Sequence, residues 1–184
     1  LGAVPEVLYE IKTASKWQGT LCAVASCTDE PSWAQECMHK FVVGDGLSIK
    51  ECIDREEIYK ANKQRHLRTI AEATGIALEE MLFFDNERGN CLDVAELGVT
   101  VAFVPYGVTG EAWRRALEAF PDFTMLWPGD VGESLLHGVA AAARAVEVQV
   151  VGLALSTPAV EGVQQVDQRV GGRVHAVAKV QRGV

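Results

Sequence analysis

The stretch "EMLFFDNERGN", Glu80 to Asn90, carries four apolar residues straight into an acid, an amide, a second acid and a base. A short continuous apolar run bounded by polar residues reads as a strand buried on both faces, the kind that fills a parallel sheet. In such sheets ligands bind beyond the carboxyl ends of the strands, where the following helices present their N-termini. Asp85 is released at that end. Taken alone it either caps the helix that begins near Asn90 or belongs to a site, and the polar loop between the two weakens the capping explanation.

Working outward, "TLCAVASC" (20–27) and "VTVAFV" (99–104) read as further buried strands. Apolar stripes at helical spacing run from Pro5 to Lys16, through "DEPSWAQECMHKF" (29–41), from Lys60 to Thr74, through "NCLDVAEL" (90–97) and through "TGEAWRRALEAF" (109–120). Pro5 and Pro31 suit first turns, and Gly75 and Gly98 stand where left-handed caps would sit. The region from Val42 to Tyr59 has mixed polarity and reads as loop, with one short strand near Ser48 to Cys52. Strands alternating with helices predict an α/β fold, a parallel sheet covered on both faces.

Beyond Pro121 the character changes. "LLHGVAAAARAV" (135–146) has a helical pattern, whereas residues 146–184 are rich in Val, Gly and Gln, and "VEVQV" and "RVHAVAKV" alternate as strands do, with nothing to indicate a partner. The expected division is a domain over 1–125 and an appendage over 126–184, partly disordered.

At 184 residues, 48% of them hydrophobic, the chain can bury one substantial core. The net charge of −8 gives little of the cationic surface that nucleic-acid binding needs. The basic run "KANKQRHLR" (60–68) lacks interleaved aromatics and reads as a partly solvated helix face. No run is long enough to span a bilayer, so neither nucleic acid nor membrane is an expected partner. The five cysteines are scattered without a C-x-x-C pair, which favours a reducing compartment and hence the cytoplasm. Nucleotide-binding, metalloprotease and serine-hydrolase motifs are absent, and no cysteine has an arginine six positions on.

Two strand ends are polar. One delivers Ser26, Cys27, Thr28 and Asp29, the other Asp85, Asn86, Glu87 and Asn90. Small hydroxyls and hard oxygen donors suit a phosphate and a cation such as Mg2+. Lys63 shares a helical stripe with Leu67, Ile70 and Thr74, which puts it at the N-terminal end of an inward-facing row. It either points to the ligand edge or snorkels along apolar surface. Ser26 and Thr28 either bind phosphate or cap the helix near Pro31. The four histidines lie in unrelated contexts and do not indicate a histidine-centred site.

Ser26, Lys63 and Asp85 in this order resemble the haloacid dehalogenase (HAD) superfamily of aspartate-nucleophile phosphatases. Within it, "VASCTDEPSWAQECM", "EIYKANKQRHL" and "MLFFDNERGNCLDVAELGVT" resemble the magnesium-dependent phosphatase 1 family, also described as acid phosphatases, over roughly Leu1 to Phe120. The resemblance implies a Rossmannoid three-layer sandwich and Mg2+-dependent hydrolysis of phosphomonoesters through an aspartyl-phosphate. Carried over, Ser26 binds a phosphoryl oxygen with help from the Cys27 N–H, and Lys63 offsets charge on the nucleophile and the transferring group. Asp85 holds Mg2+, Asn86 stands where many relatives have a second acid, and Asn90 orients the loop. The implied substrates are a phosphorylated small molecule or a phosphotyrosine-containing protein.

The family's first motif, a strand ending in D-x-D, does not occur in these 184 residues. "LGAVPEVL" resembles the helix that follows it, so the motif is expected upstream of Leu1 and the chain as given is expected to be N-terminally truncated and inactive. The alternative is a non-catalytic module that keeps a phosphate pocket without the nucleophile.

Overall fold

The computed structural model describes residues 2–121 and 125–128, together with three short strands at 154–156, 173–175 and 178–179. In α1 (Val4–Thr13), Val4, Val7, Leu8 and Ile11 form the buried stripe. Ala14 is extended and ends the helix short of Lys16, and 15–17 make a 3-10 turn. After β1 (Ala23–Ser26), α2 (Pro31–Lys40) starts on its proline and buries Ala34 and Met38.

The region from Val42 to Tyr59 corrects the reading of it as loop. β2 (Val42–Gly44) and β3 (Leu47–Ser48) form an antiparallel hairpin. Asp45 and Gly46, at φ of 45° and 80°, supply the positive φ values that a two-residue hairpin turn requires. The expected strand at 48–52 is instead the helical turn α3 (Ile49–Cys52). Ser48 and Glu51 close it with a reciprocal capping box, so local side-chain chemistry outweighs the weak strand pattern. β4 (Arg55–Ile58) escaped detection because "REEI" looks solvated; Glu57 is buried, with Arg55 bonded to its carboxylate at 3.1 Å.

α4 (Lys63–Thr74) begins after its Asn62 cap and ends at Gly75 with φ of 72°. β5 (Met81–Asp85) takes in Asp85 and is buried throughout. α5 (Arg88–Ala95) starts before Asn90, and β6 (Thr100–Phe103), α6 (Gly110–Ala119) and β7 (Met125–Leu126) follow. Pairing is parallel between β1 and β4, between β5 and β6, and between β6 and β7.

Side-chain alternation sends Leu82 and Phe84 to one face of β5, into a cluster with α1, α2 and α6. Met81 and Phe83 go to the other, with α4 and α5. Helices therefore cover both faces, as the α/β pattern predicts. The parallel strands form two hydrogen-bonded pieces, β1 with β4 and β5 with β6 and β7.

Three C-terminal strands do find partners. β8 (Ala154–Ser156) pairs antiparallel with β9 (Arg173–His175), and β10 (Ala178–Lys179) pairs antiparallel with β5. The helical pattern at 135–146 and the alternation at 146–150 lie outside the described residues. Among the described residues no helix is long and apolar enough to cross a membrane.

Phe83 and Phe84 are both fully buried, on opposite faces of β5. Each changed singly to Ala is expected to lower unfolding free energy by about 3–5 kcal/mol in urea titrations, since neither layer can collapse into the cavity without moving a helix. A loss near zero for either would mean that its face of the strand is not packed.

Candidate active site

The two sheet pieces meet at Lys63. Its Nζ donates to the carbonyl of Ala25 in β1 at 2.6 Å and lies 3.8 Å from Oδ2 of Asp85 at the end of β5. The two side chains are only 3% and 1% exposed. The snorkelling alternative therefore fails, because the ammonium is carried inward to the strand ends.

Local sequence explains how. Asn62 caps α4 by accepting the Arg65 N–H at 3.0 Å, which fixes Lys63 as the first helical residue. Leu67 and Ile70, on the same stripe, bury against the sheet and aim the row inward. A cation at a helix N-terminus opposes the macrodipole, and a buried one also loses hydration. Both penalties call for an anion, and Asp85 is there.

Asp85 is held from several sides. Its Oδ1 accepts the Glu87 N–H at 2.7 Å and its Oδ2 accepts the Asn90 amide at 3.1 Å, while its carbonyl accepts the Val104 N–H at 2.9 Å. The carboxylate thus does tie down the turn into α5, as a capping residue would, and the Asn90 amide bonds it there. Burial pushes the Asp85 pKa up, against the opposing pull of Lys63, the Glu87 amide and Asn90. Burial likewise pushes Lys63 down, and Asp85 first, then Cys27, hold it charged. Each partner is the main support of the other's charge.

Ser26, fully buried, ends β1 one residue after the carbonyl that Lys63 grips. Cys27 is exposed just beyond it and near Lys63. Thr28 accepts the Glu30 N–H at 3.0 Å and so shapes the turn into α2. Asn86 is half-buried beside Asp85. The structure therefore gathers Lys63, Asp85 and Asn90 by direct contact, with Ser26 and Cys27 at the adjoining strand end. Among the described residues no group of three or more His, Cys, Asp or Glu side chains could hold a metal ion. Asp85 is the buried carboxylate at this strand end, with the Glu87 charge nearby.

Sequence reading missed His66. It is fully buried, three positions after Lys63, and its Nε2 is 3.0 Å from the Tyr59 carbonyl. Its place on the stripe that carries Lys63 was the available signal. Burial first, then the Lys63 charge, lowers its pKa to about 4.

Two outcomes follow from these burials. Lys63→Met alone should cost about 3–5 kcal/mol of stability, because it strands a buried carboxylate, whereas Lys63→Met with Asp85→Leu should cost clearly less. Denaturation of the four proteins in the cycle measures this, and additive losses would contradict the pairing. For His66, the unfolded ring protonates near pH 6.5 while the folded ring resists to about pH 4. Stability contributed by the neutral ring is intact above pH 6.5 and falls as pH drops to about 4, by up to about 3 kcal/mol. The Asp85 shift acts in the opposite sense, so the measured quantity is the difference in pH dependence between wild type and His66→Gln, with the variant losing less stability on acidification.

Comparison with known proteins identifies the family. Residues 1–122 match the family model described as Acid Phosphatase. The human protein named Magnesium-dependent phosphatase 1 is 32% identical over 117 residues, which cover 64% of this chain and 61% of the relative. A HAD-like hydrolase superfamily protein of Schizosaccharomyces pombe is 38% identical over 84 residues, 44% of this chain and 48% of that protein. The chain thus spans 61% and 48% of the lengths of these two relatives. A matched segment that contains both strand ends, the buried lysine and the aspartate it pairs with places the chain in the acid phosphatase family of the HAD superfamily.

Proposed function

We propose that this chain is the core of a Mg2+-dependent phosphomonoesterase. The observation that carries the reading is the buried Lys63–Asp85 pair at the carboxyl ends of two parallel strands. A cation and a carboxylate kept together in a low-dielectric position stand ready for a charged ligand, and the family relationship points to a phosphate ester. The human relative's name supports Mg2+ as the metal.

Asp85 would hold the ion, directly or through water, with the Asn86 amide oxygen beside it. Mg2+ takes one or two protein carboxylates and fills its remaining positions with water and phosphate oxygens, so a site with few acids can hold it. Bound there, the ion neutralises charge on the transferring phosphoryl group. Lys63 stabilises the same charge from the protein side. Ser26 binds a phosphoryl oxygen through its hydroxyl, and Cys27 through its backbone N–H. Asn90 keeps the Asp85 carboxylate turned toward the strand end, a role that its 3.1 Å bond to Oδ2 supports.

The reaction we propose runs through an aspartyl-phosphate: a carboxylate attacks phosphorus as the P–O bond to the alcohol breaks, the alcohol takes up a proton from an acid or water, and water then cleaves the acyl phosphate to free the carboxylate and inorganic phosphate. No D-x-D occurs in the 184 residues, so the attacking acid is supplied from outside them, and these residues alone turn over no substrate. The substrate is a phosphorylated small molecule or a phosphotyrosine-containing protein. Five unpaired cysteines favour a reducing compartment, the cytoplasm.

The missing motif also supports a second reading, a phosphate-binding module without turnover. Hydrolysis of p-nitrophenyl phosphate by the protein joined to its attacking strand separates the two. Turnover that needs Mg2+, is abolished by Asp85→Asn and falls about 10²–10³-fold in Lys63→Ala supports the enzyme. Phosphate and Mg2+ binding without any turnover supports the module, and neither binding nor turnover sinks both.

A further inference from the structure

His66 is buried without an evident structural need for an imidazole. The ring is 0% exposed, yet among the described residues its Nδ1 has no hydrogen-bond partner. A carbonyl can only accept, so Nε2 must carry the proton that bonds the Tyr59 carbonyl, and Nδ1 must be the bare acceptor. Leaving a buried acceptor unmet is unfavourable, and an aliphatic side chain would fill the same space without that penalty. What the imidazole adds is the bond to Tyr59.

Tyr59 stands at a junction. Its N–H donates to the Ser26 carbonyl at 3.1 Å, and its hydroxyl donates to Thr69 of α4 at 3.4 Å. Its ring packs edge-on against His66 at 4.4 Å, with the Arg65 guanidinium 5.6 Å over it. A continuous path of bonds therefore runs from the end of β1, through the Tyr59 backbone, to His66 in the first turn of α4. Lys63 lies in that same turn and returns to β1 through Ala25. Two links between the same strand end and the same helical turn fix their separation, which sets the reach of Lys63 toward Asp85.

We infer that His66 is a positioning residue, which clamps the first turn of α4 to the Tyr59 backbone and so holds the Lys63 ammonium between Ala25 and Asp85. Its bearing on phosphate binding rests on the function proposed above; its bearing on Lys63 does not. Glutamine can carry an N–H close to the imidazole Nε2 position. Asparagine is too short to reach it, and leucine lacks a donor.

The test uses the full chain with 15N-labelled lysine, following proton exchange of the buried Lys63 ammonium in wild type, His66→Gln, His66→Asn and His66→Leu. Exchange is expected to quicken about tenfold in the Asn and Leu variants, the equilibrium worth of one buried hydrogen bond, and to stay near wild type in the Gln variant. Should the Leu variant fail to fold, the Asn and Gln variants decide the matter between them. Unchanged exchange in Asn, or equal quickening in Asn and Gln, would overturn the inference, because a ring that merely fills space has no reason to be rescued by glutamine. Titrating the same proteins with inorganic phosphate reports separately on the phosphate site: weaker binding in Asn and Leu alone extends the clamp to ligand binding. Absence of phosphate binding in wild type counts against the proposed function and leaves the exchange result to judge the clamp.

Discussion

A lysine ammonium 2.6 Å from a backbone carbonyl of one sheet piece and 3.8 Å from a carboxylate of the other is the contact around which the rest of the molecule is arranged. At an effective dielectric near 20 such a charge pair attracts by about 4 kcal/mol, whereas removing two ions from water costs several kcal/mol each. The pair is therefore a poor way to gain stability. Two apolar residues of similar size would hold β1, β5 and α4 together at least as well. A buried ion pair that does not raise stability is best understood through what it can bind.

The surrounding elements make that pair possible. β5 is buried on both faces, which fixes Asp85 at its carboxyl end and prevents it from turning out to solvent. The Glu87 N–H and the Asn90 amide then occupy one side of each carboxylate oxygen. On the other side the Asn62 cap starts α4 on Lys63, so the cation occupies the helix end that disfavours it unless an anion is near. Burial drives both groups toward neutrality, and each keeps the other charged. A phosphate arriving at this place would compete with Asp85 for Lys63, and a metal ion would compete with Lys63 for Asp85, so the two ligands are expected to favour each other's binding.

The parts of this arrangement that lie in strongly periodic segments were legible in the sequence. "MLFF" before Asp85, "AVAS" before Cys27 and the stripe of Lys63, Leu67 and Ile70 each announced its element and its facing, because burial on a regular period leaves a pattern that single substitutions do not hide. The 42–59 region was not legible, for physical reasons. "REEI" forms β4 although it is charged, since pairing with β1 and the Arg55–Glu57 bond satisfy it, and the β1 partner is not visible from the local sequence. Ser48 to Cys52 reads weakly as strand, but a capping box between Ser48 and Glu51 winds it into a helical turn. His66 was overlooked because its bond to Tyr59 crosses a loop, and a histidine on a helical stripe carries no mark that separates core from site.

Nuclear magnetic resonance titration of the chain with inorganic phosphate, with and without Mg2+, decides whether the Lys63–Asp85 pair is a ligand site. Phosphate should shift the signals of Ser26, Cys27 and Lys63, Mg2+ should shift the Asp85 side-chain carboxyl, and each ligand should tighten the other's binding by the same factor. Shifts scattered away from these residues, or two ligands that bind them without influencing each other, would contradict the pairing of cation and carboxylate as one site.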